Sequence, residues 1–204
     1  MSTSEGLRKS DMHPNPYTQF GLWFKDAEQA HPINPNAMTV VTATTDAIPY
    51  ARTILLKGFD EQGFVFFTNY ESPKALQLEA NPRATLLFYW ANLERQVNIM
   101  GIVEKVSDDE SDVYYHSRPL LSRIGAWASK QSQEIPNREW LDERVAALNA
   151  LYQEQDPPRP PHWGGYRVKP LRMEFWQQRP SRLHDRFKYT QLVDGTWQIV
   201  RLSP

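Results

Sequence analysis

The chain has 204 residues, a formal net charge of −1 and no cysteine, a length that suits one domain able to bury roughly 70% of its unfolded surface. A charge this small gives no long-range attraction to nucleic acid or an anionic membrane, so any anion site must be local. The missing cysteines exclude disulfides, thiolate metal sites and a cysteine nucleophile together.

Met1–Asp11 lacks the apolar core of a signal peptide. No apolar run approaches the ~20 residues of a membrane span, and a cytoplasmic location is expected. His13, His31, His116, His162 and His184 show no paired metal-ligand spacing, and there is no glycine-rich phosphate loop. Residues 1–14 read as a flexible arm. Asn15-Pro16 then opens a helix, with Asn as cap and Pro in the first turn. Phe20, Trp23, Phe24 and Ala27 follow at helical spacing and form its apolar face.

Strand-like runs come next at Met38–Thr44, Tyr50–Lys57, Phe64–Thr68, Ala84–Trp90 and Leu93–Val106, rich in Val, Ile, Thr and aromatics. Ser72-Pro73 starts a short helix that Asn81-Pro82 stops. Ser107-Asp-Asp-Glu110 is an acidic first turn, and Asn137 caps a helix striped by Leu141, Val145, Leu148 and Tyr152. Asp156-Pro-Pro-Arg-Pro-Pro161 is a stiff connector too short to separate domains. A β-meander closes the chain at Tyr166–Trp176, Phe187–Val193 and Thr196–Leu202, with Asp194-Gly195 as its hairpin signal. Sequential strands with few helices between them predict a mainly β, α+β domain, an antiparallel sheet closing into a barrel.

The segment Tyr114–Ser132 holds Tyr, His, two Arg, Lys, Gln and four Ser around Ile124, Ala126 and Trp127, with no acidic residue. Such a run offers hydroxyl, amide and guanidinium donors without a competing carboxylate, as a phosphorylated, planar small molecule requires. A solvated helix is the plain alternative. A second donor cluster, Arg179–Arg186, weakens that alternative because it contains one Asp among three Arg and one His.

Other candidates are weaker alone. Arg52 and Lys57 are cations in an apolar strand, where an unpaired charge costs several kcal/mol. Strand alternation puts them on opposite faces, so salt bridges and a ligand are equally good readings. Lys74 sits in a helix first turn, a position unfavourable for a cation unless an anion is near. In Leu93–Ile99, alternation puts Arg95, Val97 and Ile99 on one face and Glu94, Gln96 and Asn98 on the other; a strand amide can read a heteroaromatic edge. Trp176 by itself reads as core.

Together the segments Arg52–Lys57, Phe67-Thr68, Leu93–Val97, His116–Pro119, Ser122–Ser132, Trp163–Gly165, Glu174–Trp176 and Arg182–Arg186 identify a family. Over nearly its whole length the chain resembles pyridoxine/pyridoxamine 5′-phosphate oxidases. The resemblance implies a single FMN-binding split β-barrel over 1–204, a homodimer with FMN at the interface. It also implies oxidation of pyridoxine or pyridoxamine 5′-phosphate to pyridoxal 5′-phosphate by O2, giving H2O2. FMN would be held by Arg52, Thr53, Ile54, Leu55, Leu56, Lys57, Phe67, Thr68, Lys74, Gln96, Gln131, Ser132, Trp176 and Arg186. Substrate would be held by Lys57, Tyr114, Arg118, Ser122, Arg182 and His184, with Arg182 and His184 catalytic. Two departures accompany it. Pro73 stands where the family usually has a basic residue, and Ser2 falls about where an N-terminal arm would carry a tyrosine. A non-catalytic flavin or pyridoxal phosphate module, and an oxidase of another planar substrate such as a phenazine precursor, are the competing readings. Arg182 and His184 argue against the first, Arg118 and Ser122 against the second.

Overall fold

A computed structural model describes residues 6–30 and 33–204; His31, Ser2 and the rest of residues 1–5 lie outside the described residues. Among the described residues the fold is a nine-stranded antiparallel sheet that curls around a core, accompanied by five α-helices. Its strands are β1 Ala37–Ala43, β2 Pro49–Leu55, β3 Gly58–Asp60, β4 Gly63–Asn69, β5 Arg83–Trp90, β6 Arg95–Lys105, β7 Trp163–Gln177, β8 Asp185–Gln191 and β9 Trp197–Leu202. The helices are α1 Pro16–Ala30, α2 Pro73–Ala80, α3 Asp108–Ser117, α4 Leu120–Ala128 and α5 Arg138–Leu151. The principal strand order is β2-β1-β5-β6-β7-β4-β3, with β8 and β9 attached beyond β7.

The split in the barrel occurs along β7. One edge of β7 pairs with β6, while the other pairs first with β4, through Val168, and then with β8, from Arg172. Pro170 falls in the gap between those two partners, where its lack of an N–H leaves no ladder bond broken. Opposite it, β6 shifts register between Met100 and Gly101. A Cβ on Gly101 would lie 2.1 Å from the Lys169 carbonyl oxygen, so only glycine lets the strands cross there.

Alternating burial along β1, β5 and β6 gives the sheet a core face and an outer face. The core face packs on α1, whose Phe20 is fully buried and meets Phe59, Phe64 and Phe88 edge-on at 4.8–5.0 Å. Asn15 caps α1 by accepting the Tyr17 N–H at 2.8 Å, and Asn137 caps α5 through the Trp140 N–H.

The structure corrects several boundaries. β2 ends at Leu55, two residues before Lys57, and the chain then turns into β3, a strand the sequence reading does not contain. β6 starts at Arg95 because Ala91–Leu93 form a 3-10 turn and Glu94 adopts a left-handed backbone, φ 52°. The α5 stripe is only half-buried. The expected flexible arm is tied down from Leu7 onward: the Leu7 N–H donates to Asp185 at 2.9 Å, Met12 is buried, and the Tyr189 hydroxyl donates to the His13 carbonyl at 2.7 Å.

Candidate active site

β2, β4, α2, α3 and α4 enclose a cleft of about 1020 Å³, at the upper end of small-molecule sites. Its lining contains Arg52, Lys57, Lys74 and Arg118 and neither Asp nor Glu. Thr53, Ile54, Leu55, Phe67, Thr68, Tyr114, Ser122, Gln131 and Ser132 also line it, as does Pro73. Most of the expected cofactor and substrate residues therefore converge. Leu56 does not face the cleft: it is buried in the core, and its N–H and carbonyl both bond Asn36.

Two of these cations, Lys74 and Arg52, are held by neutral groups. The Lys74 ammonium, buried at 6% exposure, donates to Thr68 Oγ1 at 2.9 Å, Ser72 Oγ at 3.0 Å and Gln131 Oε1 at 2.7 Å. Burial, reinforced by nearby Arg52, pulls its pKa down to about 8. Arg52 donates to Thr42 Oγ1 at 2.6 Å and to the Tyr50 carbonyl at 3.1 Å, and burial lowers its pKa as well. Alternation does not separate Arg52 from Lys57, since Lys57 lies beyond the end of the strand.

Near the other end, Trp163, Phe67 and Tyr114 form a stack of nearly parallel rings, with centroids 5.4 Å and 4.0 Å apart. The Arg118 guanidinium lies 4.7 Å from the centre of the Trp163 ring, and Lys57 Nζ is 5.9 Å from that of Tyr114. Arg118 Nη1 is buried without a hydrogen-bond partner, and desolvation lowers its pKa. A buried, unsatisfied guanidinium nitrogen in an acid-free cleft is matched by an incoming anion. The stack exists because β7 begins Trp163-Gly-Gly165. A Cβ on Gly165 would stand 2.7 Å from Phe67 Cε1, and one on Gly164 2.1 Å from the Tyr70 hydroxyl.

Besides Leu56, five expected residues do not line the cleft: Gln96, Trp176, Arg182, His184 and Arg186. They cluster at the far end of the sheet, where Gln96, Trp176 and Arg186 occupy one row across β6, β7 and β8. Trp176 is half-buried on the outer face, not in the core, and its ring packs 4.7 Å from His184. Arg186 pairs with Glu174 at 2.7 Å, and Glu174 also holds Arg172. The backbone N–H of Arg179 donates to His184 Nδ1 at 3.1 Å, so the neutral ring carries its proton on Nε2. Ser181 and Arg182 both adopt left-handed backbone, φ 57° and 61°, and Arg182 is exposed.

Both groups border the same face. Thr53 pairs with Thr39, Thr39 with Leu87, Leu87 with Asn98, and Asn98 with Glu174; direct partners project to the same side. The outer face thus runs from the cleft edge to the second cluster, and it exposes Tyr89, Met100 and Ile102. The sequence reading missed Thr42 and Gln77, which brace Arg52, and Glu174, which braces Arg186. The only sequence signal for these was a polar side chain at an inward or shared-face position.

Residues 24–152 match the family profile described as pyridoxamine 5′-phosphate oxidase, and residues 163–204 the one described as pyridoxine 5′-phosphate oxidase C-terminal dimerisation region. A pyridoxine/pyridoxamine 5′-phosphate oxidase of Cupriavidus metallidurans is 59% identical over 97% of this chain and 93% of its own. One of a Nostoc species is 56% identical over 99% and 94%. Among solved structures, PhzG of Burkholderia lata in complex with tetrahydrophenazine-1-carboxylic acid is 32% identical, covers 98% of both chains and has a TM-score of 0.91. Fold and comparisons together define a split-barrel oxidoreductase. The chain belongs to the pyridoxine/pyridoxamine 5′-phosphate oxidase family.

Proposed function

We propose that the protein is a homodimeric, FMN-dependent oxidase converting pyridoxine 5′-phosphate or pyridoxamine 5′-phosphate to pyridoxal 5′-phosphate. The observation that carries this reading is the acid-free cleft with four cations, one presenting a buried nitrogen without a partner. FMN fits that donor set: Arg52, Lys74, Thr68, Gln131 and Ser132 would hold it from one chain. Gln96, Trp176 and Arg186, on the same outer face but outside the cleft, would reach it from a second copy. When bound, FMN supplies the hydride acceptor and passes the electrons to O2, giving H2O2.

The remaining work falls to this chain's own residues. Lys57, Tyr114, Arg118 and Ser122 bind the substrate phosphate, and this remote grip orients the reacting carbon. The aromatic stack excludes water beside it. Arg182 and His184 of a second copy would act at the reacting end, holding the substrate there while its proton leaves to water. With Nδ1 accepting the Arg179 N–H, His184 offers Nε2–H as a donor, which suits holding the substrate's hydroxyl or amine, and Arg182 adds positive charge.

The likeness to PhzG supports a second reading, oxidation of a phenazine precursor. The higher identity to the phosphate oxidases and the presence of Arg118 and Ser122 favour the phosphate ester. The test is to load purified protein with FMN and supply each of the two esters. Pyridoxal 5′-phosphate and H2O2 should appear in equal amounts. Failure to oxidise either ester would overturn the proposal.

A further inference from the structure

The proline-rich segment Asp156–Pro161 lines no part of the cleft, yet it fastens the helices that do. Arg123 of α4, whose side chain is 10% exposed, pairs with Asp156 at 3.0 Å. Trp127, also of α4, donates its indole N–H to the Pro158 carbonyl at 2.7 Å. Arg159, 11% exposed, is the hub. Its Nε donates to Asp112 and its Nη2 to Asp108 at 2.7 Å, both on α3, while Nη1 donates to the Trp163 carbonyl at 2.8 Å.

Asp108 and Asp112 stand four residues apart, on one face of α3. That helix carries Tyr114, and Arg118 follows it directly. Trp163 in turn provides the ring beneath the Arg118 guanidinium. A planar guanidinium bonded through all three nitrogens to two elements cannot follow one without pulling the other. The four prolines around it fix φ, so the segment transmits position instead of absorbing it.

We propose that the Asp156–Pro161 strap, acting through Arg159, positions Arg118 and Ser122 and thereby sets how strongly the cleft prefers a phosphorylated ligand. Arg159 is a positioning residue; it does not itself line the cleft. The inference rests on the reading of the cleft as a phosphate-ester site. Other ties keep α3 on β7 without Arg159, because Gly165 N–H donates to Ser111 Oγ at 3.3 Å and Arg167 pairs with Glu110 at 2.9 Å.

The test titrates FMN-loaded protein with pyridoxal 5′-phosphate and with pyridoxal, and takes the ratio of affinities. Arg159→Gln should lower that ratio about tenfold while retaining FMN. Asp108→Asn, which removes one solvent-exposed arm of the hub, should lower it by about threefold and covers the case of an Arg159 variant that does not fold. A melting temperature that falls while the ratio stays at the wild-type value in both variants overturns the inference alone. A wild-type protein without preference for the phosphorylated ligand overturns both the inference and the reading beneath it.

Discussion

Arg118 and Arg182 are both arginines of the proposed site, and the geometry assigns them opposite kinetic signatures. Arg118 has a buried Nη1 with no partner inside a cleft, so Arg118→Ala should raise KM by about ten- to a hundredfold, the worth of a charge-assisted bond of ~1.5–3 kcal/mol, with FMN occupancy intact. Arg182 stands on the strained loop outside the cleft, and Arg182→Ala should depress kcat with little change in KM. Steady-state kinetics and flavin absorbance check both; loss of flavin from Arg118→Ala would show the two ligands assigned the wrong way round. Lys74 gives a pH signature. It must be protonated to hold an anion, and in the flavin-free protein its pKa is about 8. FMN affinity should therefore fall above pH 8, by at most about tenfold per pH unit from this group, and the fall should vanish in Lys74→Met. Stability of the flavin-free fold moves the other way. The unfolded chain keeps the proton up to a higher pH, so Lys74's contribution rises with pH from about 8 to the ordinary lysine range. Fluorescence titration of FMN across pH 7–10 separates the two.

Elements fail where backbones approach too closely for a side chain, and β7 is where this fold runs that risk. Gly165→Ala would put a methyl 2.6 Å from Val106 and 2.7 Å from Phe67. The overpacking should cost about 1–3 kcal/mol and displace the middle ring of the Trp163–Phe67–Tyr114 stack. A denaturant midpoint lowered at unchanged slope would confirm it; an unchanged midpoint would mean Phe67 moves freely. Glycine here belongs to tertiary contact, which explains why Trp163-Gly-Gly165 could be noticed in the sequence but not interpreted there. The long alternating strands β1, β5 and β6 were legible because one face of each is buried and period two survives. β3, three residues long, has no period to read, and Glu94 enters a left-handed turn that no residue type at that position announces. Among the site residues, Lys74 was legible as a cation in the wrong place for its helix. Thr42 and Gln77 were not, since ordinary polar residues reveal their role only when the fold brings them to Arg52.

At the scale of the whole molecule, the proposed site is complete only if two copies meet on the sheet's outer face. Met100 and Ile102 are exposed there at 43% and 42%, in a protein whose C-terminal residues 163–204 match a dimerisation region. Met100→Asp would bury an unpaired carboxylate in that interface. Sedimentation should show a monomer, and the monomer should bind FMN at least about tenfold more weakly. A dimeric Met100→Asp protein with normal flavin affinity would remove the outer face from the assembly.

The proposed division of labour between the cleft and the cluster that holds Arg182 would make the active unit a trade between neighbours. Chains carrying Arg118→Ala keep a sound Arg182, and chains carrying Arg182→Ala keep a sound cleft. Assayed at substrate far below the raised KM of Arg118→Ala, each pure population should show little activity. Unfolded together and refolded at equal amounts, about half the dimers would be hybrids. In each hybrid one site inherits both defects and the other neither, so activity should return to about a quarter of wild type with a normal KM. Two broken enzymes would then make a working one, which cannot happen if every site is built from a single chain.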